Sequence, residues 1–264
     1  MSAIDFHTHA FPDDLAGRAM RKLQEQAGYP VAGDGRIESL LASMDAANID
    51  VSVVCAVATK PGQARGILKW CRRVRCERIE PFPSVHPDEP KAAKWIGRIA
   101  KAGFLGVKLH PMYQAFAADE DRMAPVYAAA AEHGLIVALH CGQDIGFAAD
   151  DDRAAPRRVA DVRRRFAHLK LLCTHMGGWR QWDQVEAHLL GRDVYLETSF
   201  SLAELGRERS VEFIRRHGPE RVVFGSDWPW RPQAGELDGL NRLGLPAADL
   251  RRIAYSNASA LLGY

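Results

Sequence analysis

Eight short apolar runs alternate with longer amphipathic segments along this chain, and that alternation leaves few architectures open. The strand candidates are Ala3–His9, Val51–Ala58, Glu80–Val85, Gly106–His110, Ile136–His140, Leu171–His175, Val194–Thr198 and Val222–Gly225. Between them, helical spacing puts Ile37, Leu40, Leu41 and Met44 on one face of Ile37–Ala47, and Ala92, Trp95, Ile96 and Ile99 on one face of Lys91–Ala102. Met123–His133, Arg157–Phe166, Trp182–Leu190, Ala203–Arg216 and Ala247–Leu262 also read as helices. Pro12, Pro90, Pro125 and Pro246 fall near helix starts, where a missing N–H costs nothing. In a chain of 264 residues this pattern predicts an α/β fold, a (β/α)8 TIM barrel forming one domain over residues 1–264. An open doubly wound sheet is the alternative, but no GxGxxG follows the first strand to make it a dinucleotide binder. The long loop Gly142–Pro156, aspartate-rich at Asp150–Arg153, reads as a solvated acidic loop or a lid over the barrel mouth.

Charge and cysteine content narrow the function. Lys and Arg total 35 against 33 Asp and Glu, a formal net charge of +2, without the excess expected of a general nucleic-acid binder. The basic run Arg157–Arg165 fits a barrel helix with Val159, Val162 and Phe166 inward and its arginines in water. Five cysteines, with no CxxC spacing, argue against a disulfide framework or a zinc finger. The N-terminus has no basic segment followed by an apolar run, and no apolar stretch approaches the ~18 residues that span a bilayer. A cytoplasmic protein with a small-molecule partner, and neither nucleic acid nor membrane, is the expectation.

The histidines are not scattered. Of ten, six fall at or just beyond proposed strand ends: His7, His9, His86, His110, His140 and His175. The eighth strand runs into Ser226 and Asp227. In a parallel barrel these ends share one rim, where barrel enzymes do their chemistry. Residues two apart on a strand face one side, so His7 and His9 supply half of a metal site. His140 and Asp227 add a third nitrogen and a carboxylate oxygen. That donor set suits zinc, with manganese, iron or cobalt as other divalent choices. A single histidine at a strand end is ordinarily a hydrogen-bonded structural residue; the convergence carries the metal reading.

The segments IDFHTHAFP, GVKLHP, ALHCG, THMGGW, LETSF and VFGSDWPW resemble the amidohydrolase superfamily, in particular the amidohydrolase-related branch that includes aminocarboxymuconate-semialdehyde decarboxylase. NASALLG at Asn257–Gly263 resembles the last helix of that family. The resemblance implies metal ligation by His7, His9, His140 and Asp227, with Asp227 doubling as a proton shuttle. It implies that His175 assists proton transfer in decarboxylases or binds a second metal in hydrolytic members. Family members are often dimers, so a homodimer is implied as well. Lys108 has three readings: a carboxylated bridge between two metals as in binuclear members, a cation that binds a substrate carboxylate, or a lysine paired with Asp227 or Glu197.

The expected substrate contacts are Lys108, His110, Tyr113, Trp228 and Arg231. Trp179, Trp182, Trp230 and Phe116 share the aromatic character of that rim, where a flat ring would stack. Arg231 could clamp a carboxylate, and Cys173 reads as barrel filler. Catalysis is expected from Asp227 and His175. The leading function is metal-dependent hydrolysis of a small carboxylated or cyclic amide, ester or lactone, with Asp227 taking the water proton and His175 stabilising the oxyanion. Non-oxidative decarboxylation of an aromatic or enoic acid is the alternative. A TatD-type metal-dependent deoxyribonuclease is disfavoured because those enzymes carry a strand 4 glutamate where Lys108 stands. An inactive binding barrel is disfavoured by the intact ligand positions.

Overall fold

The computed structural model describes residues 2–264. Eight parallel strands run in chain order: β1 (Ile4–Thr8), β2 (Val51–Cys55), β3 (Ile79–Phe82), β4 (Gly106–Leu109), β5 (Ile136–Leu139), β6 (Lys170–Cys173), β7 (Tyr195–Glu197) and β8 (Val222–Val223). Regular pairing of consecutive strands runs from β1 through β3 and from β4 through β8. Two seams close the ring. Lys108 N–H donates to the Pro83 carbonyl at 3.0 Å, and Phe6 N–H to the Phe224 carbonyl at 2.9 Å. The expected (β/α)8 barrel is therefore the observed architecture.

The barrel interior is filled by Ile4, Phe6, Val53, Phe82, Ile136, Ala138, Leu172 and Val223, all buried. Gly106 belongs to this layer because a Cβ there would lie 2.4 Å from Phe82. The second apolar layer, between strands and helices, takes the alternate residues, such as Val54, Val107, Val137 and Leu171. Around it stand α1 (Asp13–Ala27), α2 (Ile37–Ala47), α3 (Ala64–Val74), α4 (Ala92–Lys101), α5 (Ala124–Glu132), α6 (Pro156–Arg165), α7 (Trp182–His188), α8 (Leu202–His217), α9 (Gln233–Asn241), α10 (Ala247–Arg251) and α11 (Asn257–Leu262). Ala258 and Leu262 of α11 join the interior cluster and plug the end of the barrel opposite the histidines.

Three helices, α1, α3 and α9, lie outside the expected set. α3 carries a helical stripe of Ile67, Leu68, Cys71 and Val74, and α1 a weaker one through Ala16, Met20 and Leu23, both set among dense charges, whereas α9 is interrupted by Gly235 and Gly239. The expected single helix Ala247–Leu262 is broken into α10, a π turn at Arg252–Ser256 and α11. Most strands stop one to three residues before their expected C-terminal ends, because those residues turn over the barrel mouth. Gly142–Pro156 is the expected loop up to Ala155; Gly142 N–H donates to Ala154 and Ala118 N–H to Arg153, which pin it to the barrel.

Candidate metal centre

β1 carries the irregularity that builds the site. Its pairing with β2 slips by one residue between Asp5 and Thr8. A bulge of this kind re-aims side chains. Ile4 and Phe6 fill the barrel, Asp5 faces Ser52 and Gln233 of α9, and beyond the bulge His7 and His9 line the cavity at the mouth. Asp5 is fully buried and accepts from His7 N–H, from both N–H and hydroxyl of Ser226, and from Gln233. It thereby locks the ends of β1 and β8 together. Burial holds its carboxyl up at about 6 against these hydrogen bonds.

The hydrogen bonds fix the histidine tautomers. Nδ1–H of His9 donates to the Cys55 carbonyl at 2.8 Å, which can only accept. Lys108 Nζ donates to Nε2 of His7 at 2.9 Å, so the proton of His7 sits on Nδ1 and goes to Glu197 Oε2, also at 2.9 Å. Both Nε2 atoms are thus bare, and they stand 3.1 Å apart. Asp227 Oδ1 lies 3.1 Å from Nε2 of His9 and 3.5 Å from that of His7, buried and without a hydrogen-bond partner. Three electron-rich atoms converge in a buried place, and only the Lys108 ammonium, on His7, offsets their repulsion. The residues present therefore fit a divalent metal, and His7, His9 and Asp227 would hold it.

His140, the fourth expected ligand, stands one step aside. Its Nε2–H donates to the Gln143 carbonyl at 3.1 Å, leaving Nδ1 bare toward Nε2 of His175 at 3.1 Å. His175 in turn donates Nδ1–H to Ser199, 3.0 Å to Oγ and 3.3 Å to the carbonyl oxygen. His175 consequently presents a lone pair to the site. The expected oxyanion donor is an acceptor in this tautomer, a base or a ligand instead. His140 and His175 form a second pair of facing bare nitrogens beside the first group.

Electrostatics agree with neutral imidazoles. Burial, reinforced by the Lys108 charge, holds His7 and His110 well below the ordinary histidine range; burial and the neighbouring His110 do the same to His140. Burial lowers His175 to about 4. Burial also pushes Glu197 up to about 8, opposed by its hydrogen bonds from Ser199. For Asp227 burial acts upward, yet the carboxyl stays below the usual carboxylate range, with the Lys108 charge favouring its ionised form. His175, Phe200 and Asp227 all adopt left-handed φ values, 57°, 59° and 62°, the kind of strain that collects at functional turns.

The expected substrate contacts divide. His110 and Tyr113 line the cavity, with His110 stacked 4.0 Å from His140 and Tyr113 edge-on to His110 at 4.7 Å. Trp179 and Trp230 line it too. Trp228 does not: it is 1% exposed and packs against Gly33, where a Cβ would lie 2.3 Å from the indole. Arg231 is also off the cavity wall, its guanidinium held by Glu236 and Tyr29, both at 2.9 Å, and laid over Phe200. Lys108 lies fully buried beneath the histidines, outside the cavity lining, and no carboxylate comes within 4.0 Å of it among the described residues. Its expected pairing with Asp227 or Glu197 is replaced by the contact with His7. Phe116 is core, and His86 lies away from the cavity with Asp88.

Sequence reasoning missed Asp5, Ser199 and Asp144, and saw Glu197 only as a partner for Lys108. Asp5 lies at the same two-residue spacing as His7 and His9, and Glu197 and Ser199 at that spacing in LETSF, so periodicity was the available signal. Asp144 meets His110 Nε2 at 3.3 Å from a loop, where no periodicity operates.

A closed parallel barrel with buried histidines and an aspartate at its C-terminal rim defines a metal-dependent barrel enzyme. The family model described as Amidohydrolase matches residues 4–264, and the chain belongs to that family. The solved structures it resembles agree in fold. An uncharacterized TIM-barrel protein from Bordetella bronchiseptica is 18% identical, with a TM-score of 0.77 over 100% of this chain and 99% of that one. The 5-carboxyvanillate decarboxylase of Novosphingobium aromaticivorans, solved with manganese and a nitrobenzoic acid, is 14% identical, with a TM-score of 0.74 over 99% and 96%. A Pseudomonas putida protein assigned provisionally as a 2-pyrone-4,6-dicarboxylic acid hydrolase is 20% identical, with a TM-score of 0.68 over 99% and 97%. No curated protein matches the sequence.

Proposed function

We propose that this amidohydrolase-superfamily enzyme is a zinc-dependent hydrolase of a planar, carboxylated lactone, cyclic ester or amide. The observation that carries the reading is the convergence of two bare imidazole nitrogens and an unpartnered carboxylate oxygen on the floor of an aromatic-walled cavity. A divalent cation bound there supplies Lewis-acid polarisation of a carbonyl and a lowered pKa for water.

The chain's own residues do the rest. Asp227, kept as a carboxylate, takes a proton from water and passes it to the leaving group. His110 and Tyr113 offer flat surfaces against which a ring orients. Lys108, from beneath, adds positive charge where negative charge develops, without touching substrate. The pyrone dicarboxylate in one neighbour's description and the nitrobenzoic acid in another are both carboxylated rings, which supports this substrate class.

Decarboxylation is the second reading, favoured by the decarboxylases of 5-carboxyvanillate and 2,6-dihydroxybenzoate among the similar structures. In that reaction the proton replacing CO₂ needs an acid, whereas Asp227 and His175 both present lone pairs. The test is to load the protein with zinc or manganese, then follow ring opening of pyrone and lactone carboxylates beside CO₂ release from hydroxybenzoates. Metal-dependent ring opening supports the proposal; CO₂ release alone replaces it. Elemental analysis adds the stoichiometry. One metal per chain is the result expected if His7, His9 and Asp227 bind alone; two is the result expected if the facing nitrogens of His140 and His175 take a second.

A further inference from the structure

The cavity is too large for the substrate just proposed. It is a cleft open to solvent that measures about 1180 Å³, whereas roughly 150 Å³ suffices to hold a benzene ring. The unused space lies between α1 and α3. α1 is barely anchored: only Ala16 and Met20 are buried in its 15 residues. Its Leu15 and Leu23 line the cavity together with Ile67 and Trp70 of α3, and Leu15 remains 38% exposed. Arg18 and Lys22, one turn apart on that same face, also line it, as does Lys60 in the loop before α3. None of these three cations makes an ion pair among the described residues; Asp14, one turn before Arg18, is the acid that lines the cavity beside them, while Asp144 deeper in is held by His110. Gln26 donates to the Gly146 carbonyl at 3.1 Å, tying the end of α1 to the loop that carries Asp144.

We infer that the α1–α3 cleft is a second subsite, which takes an extended hydrocarbon tail ending in an anionic group, so that the substrate is a ring acid with an amphipathic tail. Apolar walls desolvate the tail, and Arg18, Lys22 and Lys60 meet the distal anion at the rim. This inference rests on the proposed reading in one respect only: that the ring end of the same molecule reaches the metal centre.

Calorimetry on the zinc-loaded protein tests it with three probes sharing one head group: para-methoxybenzoate, para-octyloxybenzoate, and the octyloxy compound bearing a terminal carboxylate. The expected order of affinity is terminal carboxylate over plain octyl over methoxy, each step about tenfold or more. Arg18→Gln with Lys22→Gln, both exposed helix positions, should cost the terminal carboxylate about tenfold and leave the methoxy probe unchanged. Leu23→Glu with Ile67→Glu should weaken both long probes, with circular dichroism confirming the fold. Equal affinity across the three probes, or an effect of the glutamine pair on all of them alike, overturns the subsite. Tail-dependent binding that is indifferent to zinc upholds the subsite and refutes the metal-centred reading of the head group. Zinc-dependent binding of the methoxy probe with no tail advantage does the reverse. Absence of binding by all three overturns the subsite, since the apolar tail should bind by itself.

Discussion

Single atoms decide the chemistry of this centre. Asp227 Oδ1 is the one buried carboxylate oxygen of the triad, without a partner and 3.1 Å from His9. Asp227→Asn keeps the shape and removes the base, so turnover should fall about 10³-fold with the thermal midpoint of the metal-free protein little changed; steady-state kinetics beside calorimetry reads both. Glu197 acts through His7, holding its Nδ1–H and so presenting Nε2. Glu197→Gln should weaken zinc binding about 10–100-fold, measured by competition with a chromophoric chelator. Gly225 exists for the same purpose, because a Cβ there would lie 2.2 Å from Glu197 Oε1. Gly225→Ala should therefore reproduce the Glu197 defect in the same assay. A zinc affinity unchanged in both variants would remove Glu197 from the site.

Elements transmit order to these atoms, and α8 gives a measurable case. His217, at its C-terminal end, donates Nε2–H to the Val194 carbonyl at 2.9 Å and accepts from Gly191 N–H at 3.3 Å on Nδ1. Both bonds require the neutral ring, and burial lowers this histidine to about 4. A folded pKa below the unfolded value gives stability that is fully present above about 6.5 and is lost as pH falls through about 4. That window is worth on the order of 3 kcal/mol. Urea unfolding of the metal-free protein across it should show the loss, and His217→Gln should flatten the slope. The bulge in β1 is the other element-scale device. Without the one-residue slip, Phe6 could not fill the barrel while its neighbour His7 lined the mouth.

At the scale of the molecule, metal and stability are linked. The facing lone pairs of His9 and Asp227, and of His140 and His175, are mutual repulsions in the metal-free protein, while Lys108 meets that of His7. A ligand that binds only the folded state at a thousandfold excess over Kd stabilises it by about 4 kcal/mol. For a chain of this size that corresponds to about 10 °C, so chelation should lower the thermal midpoint by that order and zinc should restore it. A midpoint indifferent to chelator and zinc would speak against a metal at the site. No helix of the described residues is long and apolar enough to cross a membrane.

Much of this was legible in one dimension. The alternation of apolar runs and helical stripes determined the barrel, because strand and helix periods are local properties of the chain. The placing of His7, His9, His140, His175 and Asp227 at strand ends determined that they would converge, because parallel strands bring their C-terminal ends to one rim. Tertiary structure decided what local pattern cannot express. It split the four expected ligands into two groups through hydrogen bonds to Cys55, Gln143 and Ser199, partners set by distant segments. It buried Trp228 against Gly33 and handed Arg231 to Glu236, because a rim position says nothing about which way a side chain turns once neighbouring loops pack. It placed Lys108 under His7, where a strand residue pointing inward meets whatever the other strands send to the same layer.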